Sequence, residues 1–137
     1  FNEFYCGDIL AELNQLSLPL MIDTPTDRFL NTLPHLSASY PNISFVLLHF
    51  GFRRSLAVDA LLKQRYNIFF DICLFADAES LPYFINKYGS LRFLFGSGMP
   101  TYTPENLLGM IAYSALTPTH QKNILSGNWH RIAGISN

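Results

Sequence analysis

Four short apolar runs, LPLMID (Leu18 to Asp23), ISFVLLH (Ile43 to His49), NIFFDIC (Asn67 to Cys73) and LRFLFGS (Leu91 to Ser97), recur about every 25 residues. Each is apolar almost throughout instead of alternating, which is the pattern of strands covered on both faces and belongs to parallel sheets. Segments with helical periodicity fill the intervals. Ile9, Leu13 and Leu16 share a stripe before the first run, and Phe29, Leu33 and Leu36 follow it. Leu56, Ala60 and Leu61 follow the second, Leu81, Phe84 and Ile85 the third, and Leu107, Leu108, Ile111 and Ala115 the fourth. The order is a helix and then four βα units, so the fold class is α/β with a parallel sheet.

Capping residues agree with these boundaries. Thr103-Pro104-Glu105 and Thr117-Pro118 put Thr at the N-cap and Pro at the first helical position, and Asp77 is placed to cap the helix before Glu79. Pro34 falls inside the second helical segment, where it removes a hydrogen bond, so that helix is expected to kink or to start late.

With 137 residues, 49% of them hydrophobic, the chain can bury one core and is too short for two ordinary domains. Residues 1–137 therefore read as a single domain. Nine Lys and Arg against ten Asp and Glu leave a net charge of −1, without the broad positive field that nucleic-acid binding needs. No apolar run approaches the ~20 residues of a membrane helix. Cys6 and Cys73 lie outside any Cys-x-x-Cys spacing, so two buried thiols in a reducing compartment is the simple reading. The chain begins FNEFYCGD without an initiator Met, which leaves room for sequence ahead of it. No secretory signal is visible, and cytoplasm is the expected setting.

Two architectures hold four βα units. One is a small open doubly wound sheet; the other is part of a (β/α)8 barrel, whose usual length of ~250 residues is nearly twice this chain. Length favours the first and the strand ends favour the second. In both, function gathers at the C-terminal ends of the strands, here Asp23-Thr24, His49-Phe50-Gly51, Asp71-Ile72-Cys73 and Ser97-Gly98-Met99-Pro100.

Taken in order, PLMIDT, FVLLHFG, NIFFDIC, RFLFGSGMP and the tail NILSGNWHRIAGI resemble the second half of the amidohydrolase-related branch of the amidohydrolase superfamily. That branch holds metal-dependent (β/α)8-barrel hydrolases and the decarboxylases related to aminocarboxymuconate-semialdehyde decarboxylase. The resemblance runs from Leu18 onward. Its most specific parts are the strand-end His-x-Gly, the Phe-Gly-Ser-x-x-Pro loop about 45 residues later and the closing Asn-x-x-Arg; each alone is a weak signal, and the ordered set is a stronger one.

The resemblance implies the second half of a TIM barrel, a small organic substrate and a divalent metal, zinc foremost. It sets His49 at the family's sixth-strand histidine, which contacts the metal or the substrate near it. Asp23 stands where the family usually has a fifth-strand histidine ligand. Gly98 stands where it has an aspartate that binds the metal and handles the proton of the attacking water. His49 and Asp23 are thus the metal candidates, and Thr24, Ser97 and Arg53 the substrate-contact candidates. Asn128 and Arg131 match a structural closing motif, and the first-strand His-x-His pair has no counterpart in this chain.

A catalytic zinc site takes about three N, O or S ligands and an open position for water. The strand ends offer His49, Asp23 and, if it points inward, Asp71, whereas a residue without a side chain at 98 supplies neither ligand nor base. The chain by itself is expected to be a poor or absent catalyst, with a non-catalytic small-ligand-binding or protein-interaction module as the alternative. A half-barrel sheet leaves two edges, so pairing with another copy or with a missing first half is expected.

Each candidate also has a plain structural reading. A strand-end His49 can simply bond a backbone carbonyl. Asp23 opens Asp-Thr-Pro-Thr, a helix N-terminus, and capping is favoured over metal ligation. The Asp71 carboxylate is costly to bury unpaired, so it is either paired, with Arg92 on the next strand a reasonable partner, or set at the solvent end. His35, His120 and His130 stand at no ligand spacing and read as surface residues, while Trp129 and the Phe residues read as core. Gly51, Arg53 and Arg54 in HFGFRRS form a weak phosphate candidate.

Overall fold

The apolar runs fold as β1 (Leu20–Asp23), β2 (Phe45–Leu48), β3 (Ile68–Asp71) and β4 (Phe93–Leu94). The computed structural model describes residues 3–23, 25–50, 55–64, 67–75 and 79–135. The periodic segments form α1 (Glu3–Leu16) ahead of β1, then α2 (Asp27–Ser39), α3 (Ser55–Gln64), α4 (Ser80–Tyr88) and α5 (Pro104–Tyr113) after the successive strands. The chain continues as α6 (Pro118–Lys122), a π-helical turn (Asn123–Gly127) and α7 (Asn128–Ile132). Each strand is shorter than its apolar run, because flanking members such as Ile43 and Ile72 enter the core outside the ladder.

One parallel sheet runs in the order β1-β2-β3-β4, with Asp23 beside Leu48, Leu47 beside Phe70 and Phe70 beside Phe93. A sequential order with right-handed crossovers sends the helices to one face, as in the arc of a barrel, whereas a doubly wound sheet needs the order to reverse. The open doubly wound alternative is thereby overturned.

Side-chain alternation divides the strands between two faces. Phe45, Leu47, Ile68, Phe70 and Phe93 pack with the helices in the main core. Val46, Phe69 and Leu94 occupy the other face, where Ile132 and Trp129 of α7 cover them. On that second face β1 presents Met21 and Asp23, both exposed. The face is closed over β2 to β4 and open at β1.

The two sheet edges differ in the same direction. Along β4, the Leu91 carbonyl accepts from Arg131 Nη2 at 2.5 Å, and the Phe93 carbonyl accepts from Asn128 Nδ2 at 2.8 Å. The Phe95 N–H donates to the Ile124 carbonyl at 3.0 Å, and Asn128 also reaches the Ser90 carbonyl at 2.7 Å. The Asn-x-x-Arg motif therefore satisfies backbone groups that an edge strand would otherwise leave without partners. Among the described residues, no strand lies beside the outer edge of β1.

Several local expectations change. α2 does not start late: Thr26 caps it, its Oγ1 accepting the Phe29 N–H at 3.2 Å, and the helix runs through Pro34. Thr117 caps α6 as expected, whereas Thr103 holds the N-cap position of α5 without a side-chain bond. Asp77 lies outside the described residues. His120 is not a free surface group, since its Nδ1 meets Ser90 Oγ at 2.9 Å, where Asn123 Nδ2 also donates. The two thiols are half-buried and unpaired with each other. Among the described residues, no helix is long and apolar enough to cross a membrane.

Candidate functional site

The C-terminal ends of β1, β2 and β3 carry Asp23, His49, Asp71 and Cys73. By strand alternation His49 would follow Phe45 and Leu47 onto the helix-covered face. Instead its φ is +52°. That left-handed backbone is uncommon for a residue with a side chain and costs on the order of 1 kcal/mol or more. It ends the strand and brings His49 Nδ1 to Asp23 Oδ1 at 2.5 Å. The histidine side chain is 36% exposed and the aspartate 65%, so the pair stands at the solvent edge of the mouth. Thr26, not Asp23, is the N-cap of α2, which corrects the favoured reading of Asp23, and the Asp23 carboxylate meets the imidazole.

Asp71 shares the face of Phe69 and is almost fully buried. Of the two alternatives for this carboxylate, the pairing with Arg92 does not form. Arg92 lies two residues before Leu94, the ladder partner of Asp71, and its Nη2 donates to the Leu62 carbonyl at 2.6 Å instead. Asp71 Oδ1 accepts the Cys73 N–H at 3.0 Å. A Cβ at Gly96 would lie within 2.9 Å of the carboxylate atoms, so the absence of a side chain at 96 is the space that the carboxylate uses. Burial pushes the Cys73 thiol up to about 12, and the Asp71 carboxylate beside it adds to the effect. That thiol stays protonated, a hydrogen-bond donor and not a nucleophile.

Gly98 is also left-handed, with φ +68°. Its carbonyl accepts the N–H groups of Thr101 and Tyr102, both at 3.1 Å. A Cβ at 98 would lie 2.7 Å from Tyr102 Cδ2 and 3.5 Å from Cys73 Cβ. The loop uses the glycine conformation at 98, and the tyrosine ring fills the adjoining space. Ser97 Oγ accepts the Met99 N–H at 3.3 Å, and Ser97 lines a pocket of about 330 Å³ with Cys73, Tyr102, Asn106 and Met110. Sequence reasoning singled out neither Tyr102 nor Asn106, which look like ordinary loop and helix positions. Thr24 and Arg53, with Gly51 and Arg54, lie outside the described residues.

Among the described residues, no group of three His, Cys, Asp or Glu side chains is placed to hold a metal ion. Asp23 and His49 are bonded to each other, Asp71 is engaged with Cys73, and residue 98 has no side chain. This donor set does not make a cation site on its own.

Neither a family model nor a curated protein sequence matches the chain. In three dimensions it is similar to an uncharacterized TIM-barrel protein of Bordetella bronchiseptica, with a TM-score of 0.76 at 15% identity over 95% of this chain and 50% of that one. It is similar to a dihydroxybenzoic acid decarboxylase of a Polaromonas species, solved with bound manganese and the inhibitor 2-nitroresorcinol. There the TM-score is 0.69 at 13% identity, over 95% of this chain and 54% of that one. Amidohydrolase 2 of Bifidobacterium longum subsp. infantis gives 0.65 at 15% identity, over 93% and 54%. The chain spans about half the length of the solved chains it matches. Its fold is that of half a TIM barrel, and the resemblance drawn from the strand-end motifs holds at the level of the fold.

Proposed function

We propose that the chain is an amidohydrolase-related half-barrel whose strand-end mouth receives a small organic molecule, with His49 as the side chain that meets it. Hydrolase or decarboxylase activity is absent or impaired in this chain alone. The observation that carries the reading is the Asp23–His49 pair, set at the ends of adjacent parallel strands by a left-handed residue. The likeness to an amidohydrolase and a decarboxylase supports the family. The left-handed Gly98, with the Tyr102 ring beside it, supports the loss of chemistry.

A divalent cation is the cofactor class that goes with this reading, supported by the manganese in the decarboxylase neighbour. The resemblance names zinc, with His49 and Asp23 as its ligands. Further ligands would come from outside the described residues. The open edge of β1 supports a partner that is a second copy or a complementary half-barrel, and the free thiols suit a reducing cytoplasm. The pocket beside Ser97 and Tyr102 favours a second reading, a module that binds a small ligand without turning it over.

Elemental analysis after exposure to millimolar manganese or zinc, joined to calorimetry with a dihydroxybenzoate, tests both readings. Stoichiometric metal supports the enzyme. Ligand uptake without metal, lost in His49→Ala, supports the binding module. Uptake of neither, or uptake that His49→Ala leaves unchanged, rejects His49 as the working residue.

A further inference from the structure

Asp23 is the more exposed member of its pair, yet its Oδ1 lies 2.5 Å from His49 Nδ1. Exposed charged side chains ordinarily keep their rotamer freedom, so this pairing needs a cause in the backbone. The left-handed backbone of His49 supplies it by turning the ring away from the helix-covered face and toward β1. Register supplies the rest. Asp23 is the ladder partner of Leu48, so its carboxylate stands one residue from the ring it meets.

A carboxylate carries only lone pairs, and the hydrogen between the two groups must therefore sit on Nδ1. In the neutral ring Nε2 then holds the other lone pair. Among the described residues, no side chain or backbone group bonds to Nε2.

We propose that Asp23 is a positioning residue. It fixes His49 as the Nδ1–H tautomer, so that Nε2 accepts a hydrogen from a hydroxyl or amine of a small organic ligand at the mouth. The inference rests on His49 being the ligand-contacting side chain, and it replaces the zinc-ligand role that the resemblance gives Asp23. A carboxylate behind an imidazole orients it and raises the basicity of its far nitrogen.

The test is nitrogen NMR of histidine-labelled protein at alkaline pH, comparing the chain with Asp23→Ala and Asp23→Glu. An unchanged amide spectrum elsewhere confirms the fold, as expected for an exposed site. The chain should show His49 as Nδ1–H, and Asp23→Glu should retain that form. In Asp23→Ala the ratio of Nδ1–H to Nε2–H should fall about tenfold or more, the change expected from losing one charge-assisted hydrogen bond. An unchanged ratio in Asp23→Ala, or Nε2–H in the unsubstituted chain, overturns the positioning role while leaving His49 as a ligand contact untouched. Failure of that underlying reading has another signature: dihydroxybenzoate binding equally well to His49→Ala overturns the ligand-facing half of the proposal whatever the tautomer.

Discussion

The Gly98 carbonyl accepts the Tyr102 N–H at 3.1 Å, and the tyrosine ring occupies the place where a side chain at 98 would begin. The two residues are parts of one turn. Placing a carboxylate here is the substitution that a metal-site resemblance invites, since it would add a hard oxygen ligand. The turn opposes it. Gly98→Asp should destabilise the chain by about 1–3 kcal/mol, from a left-handed backbone and a displaced ring together. Zinc affinity by calorimetry should not rise. Adding Tyr102→Ala should recover the steric part of the loss and leave the backbone part, which urea denaturation of the single and double variants would separate.

Gly96 and Gly109 offer a paired comparison. A Cβ at 96 overlaps the buried Asp71 carboxylate, whereas a Cβ at 109 in α5 meets nothing within 4 Å. Gly96→Ala should cost about 1–3 kcal/mol through overpacking. Gly109→Ala should instead stabilise by about 0.4–1 kcal/mol by restricting the unfolded chain in a helix interior. Opposite shifts in the thermal midpoint are the expected outcome, and shifts of the same sign would contradict the placement of Asp71.

The α3–α4 contact carries a pH dependence. Lys63, Lys87 and the Tyr88 hydroxyl all bond to Asp59, at 2.6, 2.7 and 2.6 Å, and hold its carboxyl well below the usual carboxylate range. A lowered folded value means that the stabilisation is fully present above the unfolded value of about 4 and is lost as pH falls through the folded one. Asp59→Asn should therefore be clearly less stable than the unsubstituted chain at neutral pH, and the gap should narrow as the medium becomes strongly acidic. Denaturant midpoints at several pH values would show it, and a gap that widens on acidification would reverse the sign.

The parts of the fold that could be read from the letters are those in which burial leaves a continuous trace. β2 and β3 are covered on both faces, so their runs are apolar almost throughout. β1 hides the reverse. Its Met21 is 50% exposed because that face is open there, and no property of the letters LMID distinguishes an open face from a covered one. At the mouth, His49 and Asp23 were each visible as strand ends, but their bond depends on the sign of one φ angle, which HFG does not dictate. Arg92 was a reasonable partner for Asp71 from strand adjacency alone, but adjacency says nothing about height along the strands, and the two do not meet. Asn128 and Arg131 could be matched to a motif, yet their acceptors lie 35 and 40 residues away and are backbone atoms, which carry no signature of their own.

Those two residues protect β4 unequally. Asn128 is buried and donates to the carbonyls of Ser90 and Phe93, whereas Arg131 reaches the carbonyl of exposed Leu91. Asn128→Asp should be the worst substitution, because a carboxylate cannot donate and would face two carbonyl oxygens. Asn128→Ala should cost about 2–4 kcal/mol, from two acceptors left without donors, and Arg131→Ala less than about 1 kcal/mol. Equal losses for the two alanine variants in urea would mean that burial of the acceptors is not what matters.

The contrast between a sealed β4 and an open β1 assigns the proposed association to one edge. An edge strand with an exposed apolar face is where another chain adds, and a single charge pointing from such a strand is enough to block it. The proposed partner, a second copy or a complementary half-barrel, should therefore enter beside Met21 and not beside Leu91, although both side chains are more than half or about half exposed, at 50% and 56%. Met21→Lys should abolish self-association in sedimentation equilibrium without lowering the thermal midpoint of the monomer. Leu91→Lys should leave association unchanged, because the Arg131, Asn128 and Ile124 bonds already occupy the backbone of that edge. A monomer at all concentrations, with an apolar β1 face that stays dispersed, would remove the second copy as the partner, and sensitivity to Leu91→Lys would place the contact on the wrong edge.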